Sequence, residues 1–522
     1  MRNQYGQVPR ADIPRSSFNL SHRHLTAFDA DYLVPIIVQD IIPGDTWNLN
    51  CSHFARLATP LYPIMDNLYI DTFYFFTPYR LLWDNWERFC GAQDDPTSSI
   101  DYTIPAVSGA TSADMTIGSD FTNLADYMGL PHTTGVDLTE VSALPFRAYK
   151  LIYNDWFRAQ DLQDTIDNET GNGPDDGVND HNLVKRGKRF DYFTSCLPAP
   201  QKGDAVPLFS EAIVHGPTDG TTQLAIYDDD TGDTKYMEIG ATNLRMTAAT
   251  GTGETTSTKL MYAQATDTIN DLRLAFQTQR LLERDARSGT RYVETLLAHW
   301  GVTVPDFRLQ RPEFLGGGST PVNINPVANT TAVDSVNDPA TTDRYPGNLS
   351  AFGTSYGKDG FTKSFVEHGV LIGLANLRGD ITYSQGMHRY WNKTTRYDFY
   401  YPVLAQIGEQ AVLNKEIYYD HSTPDGVFGY NERYAEYRSI PSRISSIFRP
   451  DNAASLEAWH LSEEFTSDVS LGSTFIQANT ATPLDRAIAV NTEPHVIADF
   501  YFDINAARPM PMYGVPGNLD HF

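Results

Sequence analysis

The sequence is short of cysteine, of long apolar runs and of positive charge. Its 522 residues include three cysteines, Cys51, Cys90 and Cys196, far apart and without CxxC spacing. That excludes a disulfide framework or a zinc–cysteine site and suits synthesis in a reducing compartment. No run of about 18 apolar residues occurs, which excludes a membrane-spanning helix. The opening stretch, MRNQYGQVPRADIPRSSFNL, has no apolar core and is not expected to act as a signal peptide. Lys and Arg total 39 against 65 Asp and Glu, a net charge of −26. That balance argues against a nucleic-acid coat held on by net charge alone. Catalytic signatures are missing as well: there is no HExxH, no GxSxG, no Walker A loop and no GxGxxG opening a helix. Carboxylate pairs are plentiful in so acidic a chain and say little about glycosidase chemistry. These absences move weight from an enzyme towards a structural or binding protein with no cofactor and no metal.

What is present is first a segregation of charge. Residues 89–146 hold eight acidic groups and no Lys or Arg, and residues 161–180 hold seven and none. Residues 201–268 add ten acidic groups against four basic ones. Acidity therefore belongs to three loop-like segments, which suit a hydrated outer surface. Basic groups cluster elsewhere. Arg2, Arg10, Arg15 and Arg23 stand in the first 24 residues, and VKRGKR places Lys185, Arg186, Lys188 and Arg189 within six. Each cluster reads equally as a solvated segment or as a contact for phosphate.

Hydrophobic residues at 41% supply a core, and aromatics at 12% favour β structure. Strands are expected at 32–42 (YLVPIIVQDII), 67–77 (NLYIDTFYFFT), 396–404, 416–420, 487–490 and 495–504 (HVIADFYFDI). Strands dispersed over the whole length suggest an all-β fold of the Greek-key or jelly-roll kind. A helix is expected at 146–167, with Phe146, Tyr149, Ile152, Tyr153 and Trp156 on one face. Asp161, Asp164 and Asp167 would close it, better explained as an exposed acidic end than as a calcium site. A second helix is expected at 270–300. At 100° per residue, Arg273, Arg280, Arg284, Arg287 and Arg291 fall within about 60° of one another. Opposite them lie Ala275, Leu282, Ala286, Val293, Leu296, Leu297 and Trp300, and Gly289 should kink or interrupt the helix. The arginine stripe suits carboxylates of a neighbouring subunit.

Residues 201–268 contain fourteen Thr and seven Gly. Their alternation at 223–227 and 235–239 suggests short strands in a small insertion. The acidic run Asp228, Asp229, Asp230 and Asp233 lacks the glutamate of an EF-hand loop. Residues 316–344 (GGGSTPVNINPVANTT onward) read as irregular backbone. Pro509, Pro511 and Pro516 stiffen the C-terminal segment. Met510, Met512, Tyr513 and Phe522 give it apolar grip for docking on a neighbour.

Several blocks carry a resemblance. They are FDADYLVPIIVQDIIPGDTWNL (28–49), FARLATPLYPIMDNLYIDTFYFFTPYRLLWDNWERFCGAQDDP (54–96) and LRLAFQTQRLLERDARSGTRYVETLLAHWGV (272–302). RLQRPEFLGGGSTPVNINPVA (308–328), TRYDFYYPVLAQIGEQAVLNKEIY (395–418), FGYNERYAEYR (428–438) and ARPMPMYGVPGNLDHF (507–522) follow in order. Together they resemble the major capsid proteins of the gokushoviruses, single-stranded DNA bacteriophages of the Microviridae. The resemblance implies an eight-stranded antiparallel jelly roll with long insertions, one domain over 1–522. It implies a T=1 shell of sixty copies, with pentamer and threefold contacts, around circular single-stranded DNA. Residues 1–24 would form a basic N-terminal arm and 505–522 a C-terminal arm. Residues 201–268 would form the threefold protrusion that meets the bacterial host receptor, with the 228–233 acids as candidate contacts. The implied partners are an internal scaffolding protein, a DNA pilot protein and a small basic DNA-binding protein. Assembly would take place in the host cytoplasm. Phe18, Tyr5 and His24 could stack unpaired bases beside the basic arm, or Phe18 could anchor the arm against the shell. The alternative is a jelly-roll carbohydrate or ligand binder that assembles no shell.

Overall fold

The computed structural model describes residues 13–108, 123–131, 141–176, 182–207, 269–289, 291–328, 349–450 and 454–513, with 330, 347 and 452. Between 213 and 264 it describes the backbone of five short strands. The chain divides into two compact units, one of residues 1–200 and 289–522, the other of residues 201–288.

The larger unit is built on two antiparallel sheets. Their strands are β1 (Ser16–Asn19), β2 (His22–Phe28), β3 (Val34–Ile41), β4 (Thr46–Leu57) and β5 (Leu68–Pro78). They continue with β6 (Glu313–Pro321), β7 (Asn323–Ala328), β8 (Leu349–Ser364), β9 (Gly369–Gly379) and β10 (Val496–Arg508). The large sheet runs β1–β10–β4–β8–β7, with β2 also paired to β10, and the small sheet runs β6–β5–β9–β3. From β2 to β5 the chain changes sheet at every strand, and it does so again from β8 to β10. Two long insertions, 79–312 and 380–495, leave from small-sheet strands.

Burial explains why the strands look as they do in sequence. In β10 every second residue from Val496 to Ala506 is buried, and the residues between them are exposed or half-buried. One face of the large sheet is core and the other is open, which gives the period-two pattern. β9, VLIGLANLR flanked by glycines, is buried at all eleven positions. The large sheet covers one of its faces. The other lies under α1 (Leu144–Ile152), whose Tyr149 hydroxyl donates to the Leu33 carbonyl at 2.7 Å. Trp156 and Phe157, just beyond α1, meet Phe75 in a tilted contact and Phe73 edge to face, with ring centroids 5.5 and 5.2 Å apart. Across the sandwich Tyr74 meets Phe361 at 5.5 Å, and Trp47 is fully buried with its indole N–H on Asp45 at 3.0 Å. A second cluster, including Phe193, Cys196, Val412, Phe428 and Phe475, forms under the 380–495 insertion.

Several sequence expectations need correction. Residues 396–404 form two 3₁₀ turns, Arg396–Asp398 and Pro402–Leu404. Asp398 accepts from the Thr394 and Thr395 backbone N–H and the Thr395 hydroxyl, a local bonding pattern that competes with a sheet ladder. Residues 416–420 begin in the helical turn Asn414–Ile417, where Glu416 accepts from the Leu413 N–H. Residues 487–490 contribute one bridge, Ile488 with Pro60. The helix expected to reach 167 ends in a π turn, Tyr153–Phe157. There the Asn154 amide exchanges two bonds with the Ile166 backbone and folds 158–166 back. Asp161, Asp164 and Asp167 are thus not on a helix. Of the 316–344 stretch expected to be irregular, 316–328 form strands, while 329 and 331–344 lie outside the described residues. A Cβ on Gly317 would sit 2.1 Å from the Thr72 carbonyl oxygen, so glycine lets β6 approach β5 closely.

The smaller unit holds a three-stranded sheet of Leu224–Tyr227, Thr234–Ile239 and Leu244–Ala248, and a pair, Ile213–His215 with Tyr262–Gln264. It ends in α2 (Ile269–Ser288). Gly289, at φ +91°, stops α2, and α3 (Tyr292–Trp300) follows in the larger unit. The 270–300 helix is thus interrupted at Gly289, as its sequence led one to expect.

Candidate functional site

The four cations of the 184–189 run lie within the larger unit, between the Tyr32 segment and residues 476–478. Backbone bonds run from Leu33 N–H to Val184 O, from Arg186 N–H to Asp31 O and from Lys188 N–H to Ile476 O. Each cation rests on an aromatic face. Lys185 lies over Tyr32 at 5.3 Å, Arg186 over Phe73 at 4.7 Å, Lys188 over Phe475 at 4.2 Å and Arg189 over Tyr69 at 4.0 Å. Three also meet carboxylates: Arg186 with Asp71, Lys188 with Glu463 at 2.6 Å and Arg189 with Asp380 at 3.1 Å. Asp71 is shared with Arg378 at 3.2 Å and accepts from the Ser319 hydroxyl. Burial alone would raise Asp71, but Ser319 and the two guanidiniums hold it below the usual carboxylate range. Burial and the neighbouring Arg186 push Arg378 down to about 10. The charge of Arg186 and Lys188 is thus answered inside the chain, a use that the spacing VKRGKR does not reveal.

The N-terminal candidates divide. Arg2, Arg10 and Tyr5 lie outside the described residues. Arg15 bonds the Gly44 carbonyl and the Thr46 hydroxyl, the latter at 3.0 Å. Arg23 is exposed and paired with Asp499 at 2.6 Å. Residues 16–24, expected in an arm, are mostly strand, because β1 and β2 pair with β10. Phe18 and His24 stand opposite the buried Ala506 and Phe500, so both point to the core side of the sheet. That geometry favours the anchor over the stacking role.

On α2 the helical spacing holds. Arg273, Arg280, Arg284 and Arg287 are exposed, while Ala275 and Leu282 are half-buried and Ala286 is buried. Arg291 departs from the stripe. It precedes α3, is half-buried, and donates to the Arg158 carbonyl at 2.7 Å. Met510, Met512 and Tyr513 are exposed, Tyr513 by 82%. Phe522 and the acids Asp228, Asp229, Asp230 and Asp233 lie outside the described residues.

Carboxylates near a pocket do not form a catalytic pair. Around Phe76, Phe307 and Phe365, Glu313 is paired with Lys363 at 2.5 Å and Glu367 with Arg80 at 2.6 Å. Cys51 and Cys196 are buried, and desolvation pushes both thiols up to about 12, so neither is a nucleophile.

A two-sheet antiparallel sandwich with long insertions is an architecture shared by viral shell proteins and binding proteins alike. The comparison with known proteins names the kind. Residues 6–518 match the family model described as capsid protein (F protein), and the chain belongs to that family. It is 44% identical to capsid protein VP1 of Bdellovibrio phage phiMH2K, over all of this chain and 98% of the relative. It is 39% identical to capsid protein VP1 of Chlamydia phage 1, over 99% and 98% of the two chains. Identity to capsid protein VP1 of Spiroplasma virus 4 is 33%, over 97% and 95%. The chain is a capsid protein, as its resemblance to the gokushovirus proteins implied.

Proposed function

We propose that the chain is the subunit of a T=1 shell of sixty copies that encloses circular single-stranded DNA. The observation that carries this reading is the family match across 6–518, together with near-complete coverage of three capsid relatives. The strand order supports an eight-stranded jelly roll: β2–β10–β4–β8 face β3–β9–β5–β6, with β1 and β7 as additions. In such a roll the hairpins alternate between sheets, and loops at the strand ends are free to grow. The insertions at 79–312 and 380–495 are of that kind.

Residues 201–268 fall wholly within the separately compact unit of residues 201–288. That independence suits a surface element that meets the host receptor at the threefold axes, with Asp228, Asp229, Asp230 and Asp233 as candidate contacts. The exposed arginines of α2 and the exposed Met510, Met512 and Tyr513 suit contacts between copies, with Phe522 continuing the tail. A shell of chains at −26 each is strongly anionic. The genome then needs local cations, among them Arg2, Arg10, Arg15 and Arg23, and a separate small basic protein. An internal scaffolding protein, a DNA pilot protein and assembly in the host cytoplasm complete the reading.

Electron microscopy with mass photometry of protein co-expressed with its scaffolding partner tests it. Closed particles of about sixty subunits are the expected result, and only monomers or small oligomers would overturn it. Deleting residues 205–262 should leave particles that form but do not attach. Loss of assembly would make the insertion a clamp between copies instead.

A further inference from the structure

The open face of the large sheet remains without a role. Strand alternation sends one residue in two outward, and cross-strand register fixes their neighbours. Phe54 on β4 stands directly opposite Tyr356 on β8. Tyr501 on β10 pairs with Ser52, one outward position along from Phe54. Phe54, Tyr356 and Tyr501 are 47%, 68% and 50% exposed. Cations continue the same rows. Arg56 follows Phe54, Lys358 follows Tyr356, and Arg23 lies opposite Tyr501. Outward neighbours along a strand are about 7 Å apart, so aromatic rings and cations alternate on one face of the sheet.

Carboxylates are scarce there. Among the described outward residues of β2, β4, β8 and β10, only Asp499 and Asp503 are acidic. Asp499 is held by Arg23, and Asp503 accepts from the Ser21 hydroxyl at 3.2 Å. Arg56 and Lys358 have no carboxylate partner among the described residues. In a chain with 65 acidic groups this face thus holds Arg23, Arg56 and Lys358 against Asp499 and Asp503, a slight positive excess.

We propose that this face is a stacking platform for unpaired bases of single-stranded DNA, with Phe54, Tyr356 and Tyr501 under the bases and Arg56 and Lys358 at the phosphates. The proposal rests on the shell reading above, which supplies the nucleic acid. A second copy of the chain fits the face less well, because the core of a protein interface excludes charge and packs apolar groups together. Here Phe54, Tyr356 and Tyr501 stand among cations, amides and hydroxyls, including Asn48, Asn50 and Ser52, with exposed Leu25, Phe352 and Ile497 on the same face. Base stacking has the opposite needs: isolated π faces at intervals, with cations between them.

The test uses the full-length chain and fluorescein-labelled oligodeoxythymidylate, titrated by anisotropy over a series of salt concentrations. Replacing Tyr356 or Tyr501 with Ser should weaken binding about tenfold each. The pair Arg56→Gln and Lys358→Gln should lower the slope of log K against log salt by about 1.4, two phosphates' worth. Variants that bind as wild type and package the same DNA mass overturn the proposal. Variants that no longer assemble but still bind the oligonucleotide also overturn it, and make the face a contact between copies. Photocrosslinking of unmodified protein to iodouracil-substituted oligonucleotide needs no variant. Crosslinks on β4, β8 and β10 support the platform, and crosslinks confined to other segments overturn it. A wild-type chain that forms no particle counts against the shell reading, while the titration still decides the platform.

Discussion

Replacing Arg186 with Met separates a structural basic run from a DNA-binding one. The Arg186 side chain is 16% exposed and its partner Asp71 only 5%. Removing one member of a buried ion pair costs about 3–5 kcal/mol, because the other charge is left uncompensated. Asp71 would keep Arg378 at 3.2 Å and the Ser319 hydroxyl. The cost should therefore fall at the low end, about 3 kcal/mol. The methionine retains contact with Phe73, which limits the loss of packing. The assay is urea unfolding of unassembled subunits at neutral pH, followed by tryptophan fluorescence, since assembly would add stability by mass action. A cycle with Asp71→Asn should return a coupling of about 2 kcal/mol. DNA mass per particle, measured in parallel, should not change in particles that form. An Arg186→Met subunit within about 0.5 kcal/mol of wild type, with less DNA packaged, would refute the structural reasoning.

Acid should destabilise the subunit in two stages. Burial holds the His53 ring below its ordinary value. The unfolded ring then gains a proton that the folded one resists, and stability falls as pH drops below about 6.5. Asp359 opposes this shift in part. Asp71, held low, contributes fully above about pH 4 and loses its contribution as pH falls through its lowered value. Urea midpoints at pH 7.5 and 5.5 should differ less in His53→Leu than in wild type, and equal differences would remove His53 from the account. Gly317→Ala should block the pairing of β6 with β5, since the new methyl meets the Thr72 carbonyl. The expected readout is insoluble protein, and a soluble subunit with wild-type melting would contradict the close approach.

Class and main strands can be read from residue pattern without coordinates. Residues 32–42, 67–77 and 495–504 announce β3, β5 and β10, because burial on one or both faces imposes its own pattern of side chains. The charge segregation, the strand pairs in the insertion and the exposed arginines of α2 were also legible, since each depends on local spacing. Aromatic content misled at 396–404, where Asp398 caps the preceding backbone and the rings stay exposed. The glycines at 316–318 misled in the other direction, because only the approach of β5 turns a flexible-looking stretch into a strand. The partners of the cations, by contrast, come from the packing of distant segments. Lys185 to Arg189 look like a phosphate contact until Asp71, Glu463 and Asp380, 115 to 275 residues away, are brought against three of them. In the same way Phe54, Tyr356 and Tyr501 each lie more than a hundred residues from the next in sequence and become one surface only through strand register. Pairing between distant segments is a property of the folded sheet, and no local periodicity encodes it.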